Sequence, residues 1–180
     1  MKFEVSRGTG LAGIHMDVSL DSAEFAPIWE EADRLNMTAV IDTDTFDVNA
    51  KHIQGMKYVL QHYKNVKLVA AHLLKPQYDQ ASVLREALSE IRHERLWYDI
   101  ATLPWMCEKD PYPYTMSAQY IAMAKEIVGC DKLMWGSDVP AVLTRDSYEH
   151  LKDYPKKSGL FTEAELEKIM GGNAEQLFGL

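Results

Sequence analysis

The sequence is poor in cysteine: Cys107 and Cys130 are its only two in 180 residues, and they form no CxxC pair. That excludes a disulfide framework and a paired-cysteine metal motif, and it points to a reducing compartment, the cytoplasm. No run of apolar residues approaches the roughly 18 needed to cross a bilayer. The opening MKFEVSRGTG also lacks the apolar stretch of a signal peptide. No membrane partner is expected. There is no basic block either, and the net charge of −8 argues against a nucleic-acid or anionic-membrane surface. A Gly-rich phosphate loop, a GxSxG elbow, low-complexity tracts and internal repeats are all missing. So are the Asn-Gly and Asp-Gly signals that join antiparallel strands.

What is present is an ordinary globular composition. With 47% hydrophobic and 26% charged residues, the chain can bury a core, and 1–180 is read as one domain.

Short β-branched or apolar runs alternate with stretches of helical spacing. Strand candidates fall at 2–5, 13–18, 38–41, 66–71, 96–101 and 132–137, the first two separated by the turn Arg7-Gly8-Thr9-Gly10. Between them, Pro27 suits a first helical turn, with Ile28, Trp29, Ala32 and Leu35 at helical spacing. Asn49 can cap a helix carrying Ile53, Met56, Val59 and Leu60, with His52 on its surface. Asp79 can cap another running through Leu84, Leu88 and Ile91. A loop is expected over 106–115, a helix over 117–128, and an ill-defined helix over 147–152 followed by a loop through Pro155. Thr162 and Glu165 fit a capping box, Gly171-Gly172 should stop that helix, and Asn173 should cap a short last one. This alternation predicts an α/β fold with a parallel sheet and crossover helices, open or closed into a barrel.

Three strand ends carry chemistry: Asp42, with Asp44 and Asp47 close behind; His72; and Asp138, in the turn of KLMWGSDVP. On parallel strands these ends share one rim, where ligands bind. One His with several carboxylates there suits a divalent metal or general acid–base work. Each residue alone also reads blandly: His72 as a core histidine bonded to backbone, the acids as Asx turns, Asp138 as a cap. His15 lies inside a strand candidate. Trp105, Tyr112 and Tyr114 either line a pocket or cover the rim of the core.

VKLVAAHL at 66–73, KLMWGSDVP at 132–140, LNMTAVIDT at 35–43 and GLFTEAELEKIMGGNAEQLFGL at 159–180 together resemble the amidohydrolase superfamily. The closest branch is the amidohydrolase-2 type, related to aminocarboxymuconate-semialdehyde decarboxylase. The resemblance implies a TIM-like (β/α) barrel, here partial with about five strands. It implies hydrolysis, or decarboxylation, of a small carboxylated or cyclic substrate. It also implies one divalent metal, zinc or manganese, or none if the site is incomplete, with Asp138 and His72 as ligands, Asp42 able to serve as a third, and Asp138 and His72 moving protons. The family's HxH pair has no counterpart here, and Asp42 stands where a His is usual. Five strands cannot close an eight-stranded barrel. The chain is therefore expected to form a homo-oligomer, to pair with a barrel-completing chain, or to be a fragment. A non-catalytic partial barrel, serving binding or assembly, is the alternative from another class.

Overall fold

The computed structural model describes residues 1–5, 19–43 and 50–180. The expected strand at 13–18, His15, Asp44, Asp47 and the Asn49 cap lie outside these.

The described residues build one five-stranded parallel sheet whose spatial order equals its sequence order. The strands are β1 (Lys2–Glu4), β2 (Thr38–Asp42), β3 (Lys67–Ala70), β4 (Leu96–Asp99) and β5 (Leu133–Met134). Between β1 and β2 runs α1 (Ala26–Arg34), then α2 (Ala50–His62) before β3 and α3 (Ala81–Ile91) before β4. The short α4 (Leu103–Met106) and the long α5 (Thr115–Val128) precede β5, and α6 (Tyr148–Lys157), α7 (Glu163–Glu167) and α8 (Asn173–Phe178) complete the chain. The order never reverses, so no doubly wound switch point exists in this sheet; it is the winding of a (β/α) barrel.

Strand alternation separates the two faces. Ala39, Ile41, Leu68, Ala70, Leu96, Tyr98 and Leu133 are buried against the helices, in one cluster with Trp29, Met56, Leu84, Leu88 and Ile121. The intervening residues Val40, Val69, Trp97 and Met134 form a second cluster with Leu177 and Ala174 of α8. The register aligns them, with Val40 opposite Val69 and Val69 opposite Trp97. Of the four apolar residues at helical spacing along α1 and its C-cap, Trp29 and Ala32 are buried, whereas Ile28 and Leu35 are exposed; the Trp29 indole N–H donates to the Leu20 carbonyl at 2.7 Å.

Several expectations are corrected. β5 is two residues long because the Trp135 amide donates to the Ile169 carbonyl at 2.7 Å, diverting the chain toward its own tail. Gly171-Gly172 do not stop the helix: α7 passes through a wide turn, Lys168–Gly172, directly into α8. Asn173 makes no cap there, because its amide donates to the carbonyls of Cys130 and Leu133 at 2.8 and 2.7 Å, pinning α8 to β5. α6 continues through Pro155 to Lys157 instead of ending in a loop, with Ser147 as its cap. Asp79 sits in a left-handed conformation and α3 starts after Gln80. His52 is buried and not on the helix surface. The capping box of Thr162 and Glu165 is present as expected.

Candidate active site

Every strand delivers a polar side chain at its C-terminal end. β1 gives Glu4, paired in register with Asp42 of β2; β3 leads into His72; β4 ends in Asp99 and turns through Thr102; and the segment after β5 presents Asp138. Lys2, two residues before Glu4, lies on the same strand face.

The turn after β3 puts two of these side chains in place. His72, Leu73, Leu74 and Lys75 are consecutive residues of positive φ, at 57°, 50°, 65° and 55°. Left-handed backbone costs an L residue roughly 1–2 kcal/mol, so something must hold it. Asp99 does: its Oδ1 accepts from the His72 amide at 2.9 Å and from the Ala101 amide at 3.1 Å. Pro76 follows, a residue that disfavours right-handed helix before it. Thr102 and Asp138 are also left-handed, with φ of 69° and 52°. Strain of this kind gathers where the surrounding structure needs a special side-chain direction.

These side chains form a chain of contacts. Thr102 Oγ1 donates to Asp138 Oδ2 at 3.0 Å and lies 2.9 Å from His72 Nδ1. On the ring's other side, His72 Nε2 is 3.6 Å from Asp42 Oδ2. Lys75 Nζ is 2.6 Å from Asp42 Oδ1, and Lys2 Nζ is 3.7 Å from Oδ2. Asp42, His72 and Lys75 are buried, whereas Asp138 is exposed. They open into a cavity of about 310 Å³, with Trp105, Met106 and Ala141 as its apolar wall.

The electrostatics follow from this crowding. Burial works against ionised Asp42, but its bonds to His72 and Lys75 outweigh burial and hold the carboxyl at about 2, below its usual 3.8. Burial would likewise discharge His72; the bond to Asp42 and the charges of Asp99 and Asp42 win, and its pKa is raised. Asp99 goes the other way: burial outweighs its amide bonds and the His72 charge, and its pKa is raised. The site therefore favours a proton on His72 and an anion at Asp42.

All three residues expected from the sequence line this one cavity. Lys2, Glu4, Lys75, Asp99 and Thr102 were not anticipated. The aromatic loop divides: Trp105 is 41% exposed at the cavity, whereas Tyr114 is 1% exposed and belongs to the core.

A divalent ion does not fit these residues by themselves. The gap between His72 Nε2 and Asp42 Oδ2 would admit one ion, but that makes two donors where zinc sites use three or four. Asp138 is turned to Thr102, on the Nδ1 side of the ring. Among the described residues no group of three or more His, Cys, Asp or Glu side chains is disposed around one point. The Lys75 ammonium already neutralises Asp42.

The fold is shared with solved structures. An amidohydrolase from Burkholderia multivorans aligns with a TM-score of 0.78 in a HEPES-bound form and 0.76 in a zinc-bound form. In each, identity is 18% over 89% of this chain and 59% of that one. A protein described as a putative 2-pyrone-4,6-dicarboxylic acid hydrolase from Pseudomonas putida gives 0.78 at 17% identity, over 99% of this chain and 62% of that one. A dihydroxybenzoic acid decarboxylase from Polaromonas sp. JS666, with bound manganese and an inhibitor, gives 0.60 at 15% identity, over 91% and 56%. The chain thus spans less than two thirds of the length of each. No curated protein matches it. The amidohydrolase family model of the amidohydrolase-2 type matches residues 7–180, and the chain belongs to that family.

Proposed function

We propose that the cavity hydrolyses an ester, lactone or amide bond in a small carboxylated substrate. The observation that carries this reading is the contact chain from Asp138 through Thr102 to His72 and Asp42, at the rim where parallel strands end. Asp138, the exposed carboxylate, takes the proton of the attacking water. His72, biased toward its protonated form, gives a proton to the oxygen or nitrogen that leaves as the acyl bond breaks. Asp42 holds the imidazolium and Lys75 holds Asp42. Lys2, at the mouth, offers an ammonium to the substrate's carboxylate. The cavity volume lies at the small end of ligand pockets, which suits a single ring or a short diacid.

Decarboxylation uses the same proton donor, because His72 can protonate the carbon that loses carbon dioxide. The discriminating assay is a panel of small lactone and aromatic carboxylic acids, with acid release followed by pH indicator and carbon dioxide by coupled detection. Acid release abolished by Asp138→Asn supports hydrolysis. Carbon dioxide release replaces it with decarboxylation. Saturable binding with no turnover would leave the non-catalytic module.

We further propose that β1 and β5, the two edges of the described sheet, pair with a second copy or with strands from a barrel-completing chain. Light scattering tests this: a monodisperse monomer exposing no large apolar patch refutes it. Both cysteines are free, in keeping with the proposed cytoplasmic location. No described helix is long and apolar enough to cross a membrane.

A further inference from the structure

We infer that Lys75 replaces the divalent ion in this site: its ammonium supplies the fixed positive charge that Asp42 and His72 are arranged around. The inference rests on the reading above only for the location of the site.

Three features make the placement a built one. The Lys75 side chain is 4% exposed, its Nζ lies 2.6 Å from Asp42 Oδ1, and it lines the same cavity as His72 and Asp138. A lysine is seldom so buried unless paired. Its backbone belongs to the left-handed turn that begins at His72, so one local conformation aims both side chains at Asp42. That turn is anchored by the Asp99 carboxylate on the His72 amide. The ammonium is thus held by the fold and not by chance rotamer choice.

The consequence is electrostatic. An ion seated between Asp42 Oδ2 and His72 Nε2 would share a carboxylate with the ammonium on Oδ1. Two positive charges a few ångströms apart in a buried site repel strongly. The lysine gives the carboxylate its counter-charge and its orientation, and it donates hydrogen bonds where a metal would need further donor atoms. Lys75 is a positioning residue in this scheme, acting on the substrate through Asp42 and His72.

The test is calorimetric titration of the chelator-dialysed full chain with zinc chloride and with manganese chloride, without substrate. Wild type, Lys75→Met and Lys75→Arg are compared, with circular dichroism to check the fold. Wild type and Lys75→Arg should take up no stoichiometric metal. Lys75→Met, which keeps the apolar stem and removes the charge, should bind zinc at least roughly thirtyfold more tightly. That is the factor for removing a unit charge about 4 Å from a divalent ion, even at the dielectric constant of water. Stoichiometric uptake by wild type overturns the inference. So does a folded Lys75→Met that binds no better, because the ammonium then is not what keeps the ion out. If Lys75→Met loses its dichroism, Lys75→Gln takes its place and is read by the same two criteria. None of these readouts depends on turnover. A protein that hydrolyses nothing on the substrate panel can still pass this test, and an active hydrolase can fail it.

Discussion

Replacing Asp42 by Asn should be among the most damaging single changes to this fold that alter no volume. The carboxylate is 5% exposed and its lysine partner 4%. Folding lowers its pKa from 3.8 to about 2, which by linkage contributes about 2 kcal/mol at neutral pH. The sign follows from the direction. A group depressed by folding stabilises the folded state above its unfolded pKa, and that contribution is lost as the pH falls through 3.8 toward about 2. Asn removes the contribution at every pH. It also leaves the Lys75 ammonium buried without its counter-charge, and breaking a buried pair from one side costs roughly 3–5 kcal/mol. Urea unfolding followed by circular dichroism should therefore show Asp42→Asn less stable by about that amount at pH 7. The gap to wild type should narrow only below about pH 4. The double variant Asp42→Asn/Lys75→Met removes both charges and should recover part of the loss. A single variant within about 1 kcal/mol of wild type at pH 7, or a gap that ignores pH, would refute the pairing as described.

Thr102→Val keeps the shape of the side chain and removes the hydroxyl between Asp138 Oδ2 and His72 Nδ1. Initial rates on a hydrolysed substrate should fall roughly tenfold to a hundredfold while circular dichroism shows the fold retained, and unchanged rates would sink the role given to the contact chain. Gly55→Ala places a Cβ 2.8 Å from the Leu20 Cβ in the wall of the core. Overpacking there should cost about 1–3 kcal/mol, read as a lower melting temperature, whereas an unperturbed midpoint would show that the Leu20 turn gives way freely.

The central strands were legible because they are short apolar runs whose alternate residues serve two packed faces, as Ala39 and Ile41 do on one side of β2 and Val40 on the other. What escaped was decided by partners far along the chain. β5 reads as six residues, yet the Ile169 carbonyl, 34 positions away, takes the Trp135 amide and ends the ladder. Gly171 and Gly172 look like a helix stop, but Asn173 reaches back to Cys130 and Leu133 and carries the helix through. Local propensity yields to such contacts.

Three of the eight residues named at the candidate site could be read in the same way, and the other five show what strand-end logic leaves out. Asp42 and His72 follow apolar runs directly and Asp138 follows one after Gly136-Ser137, so their shared rim was foreseeable from parallel topology alone. Asp99 is hidden because LWYDIA alternates like any strand, and the residue that ends the ladder looks like one facing solvent. Lys75 is harder still. Reaching Asp42 from three residues beyond His72 requires a run of left-handed backbone, which no propensity favours without glycine. The one local hint is Pro76, which excludes a helix through Lys75 without saying what replaces it. The conformation is held by Asp99, on the neighbouring strand, which accepts the His72 amide, and by the Lys75 amide, which donates to the His72 carbonyl at 2.8 Å. The residue that organises the charge of the site is therefore placed by a carboxylate 24 positions later in the sequence, and a deletion of that carboxylate should displace Lys75 as surely as a change at Lys75 itself.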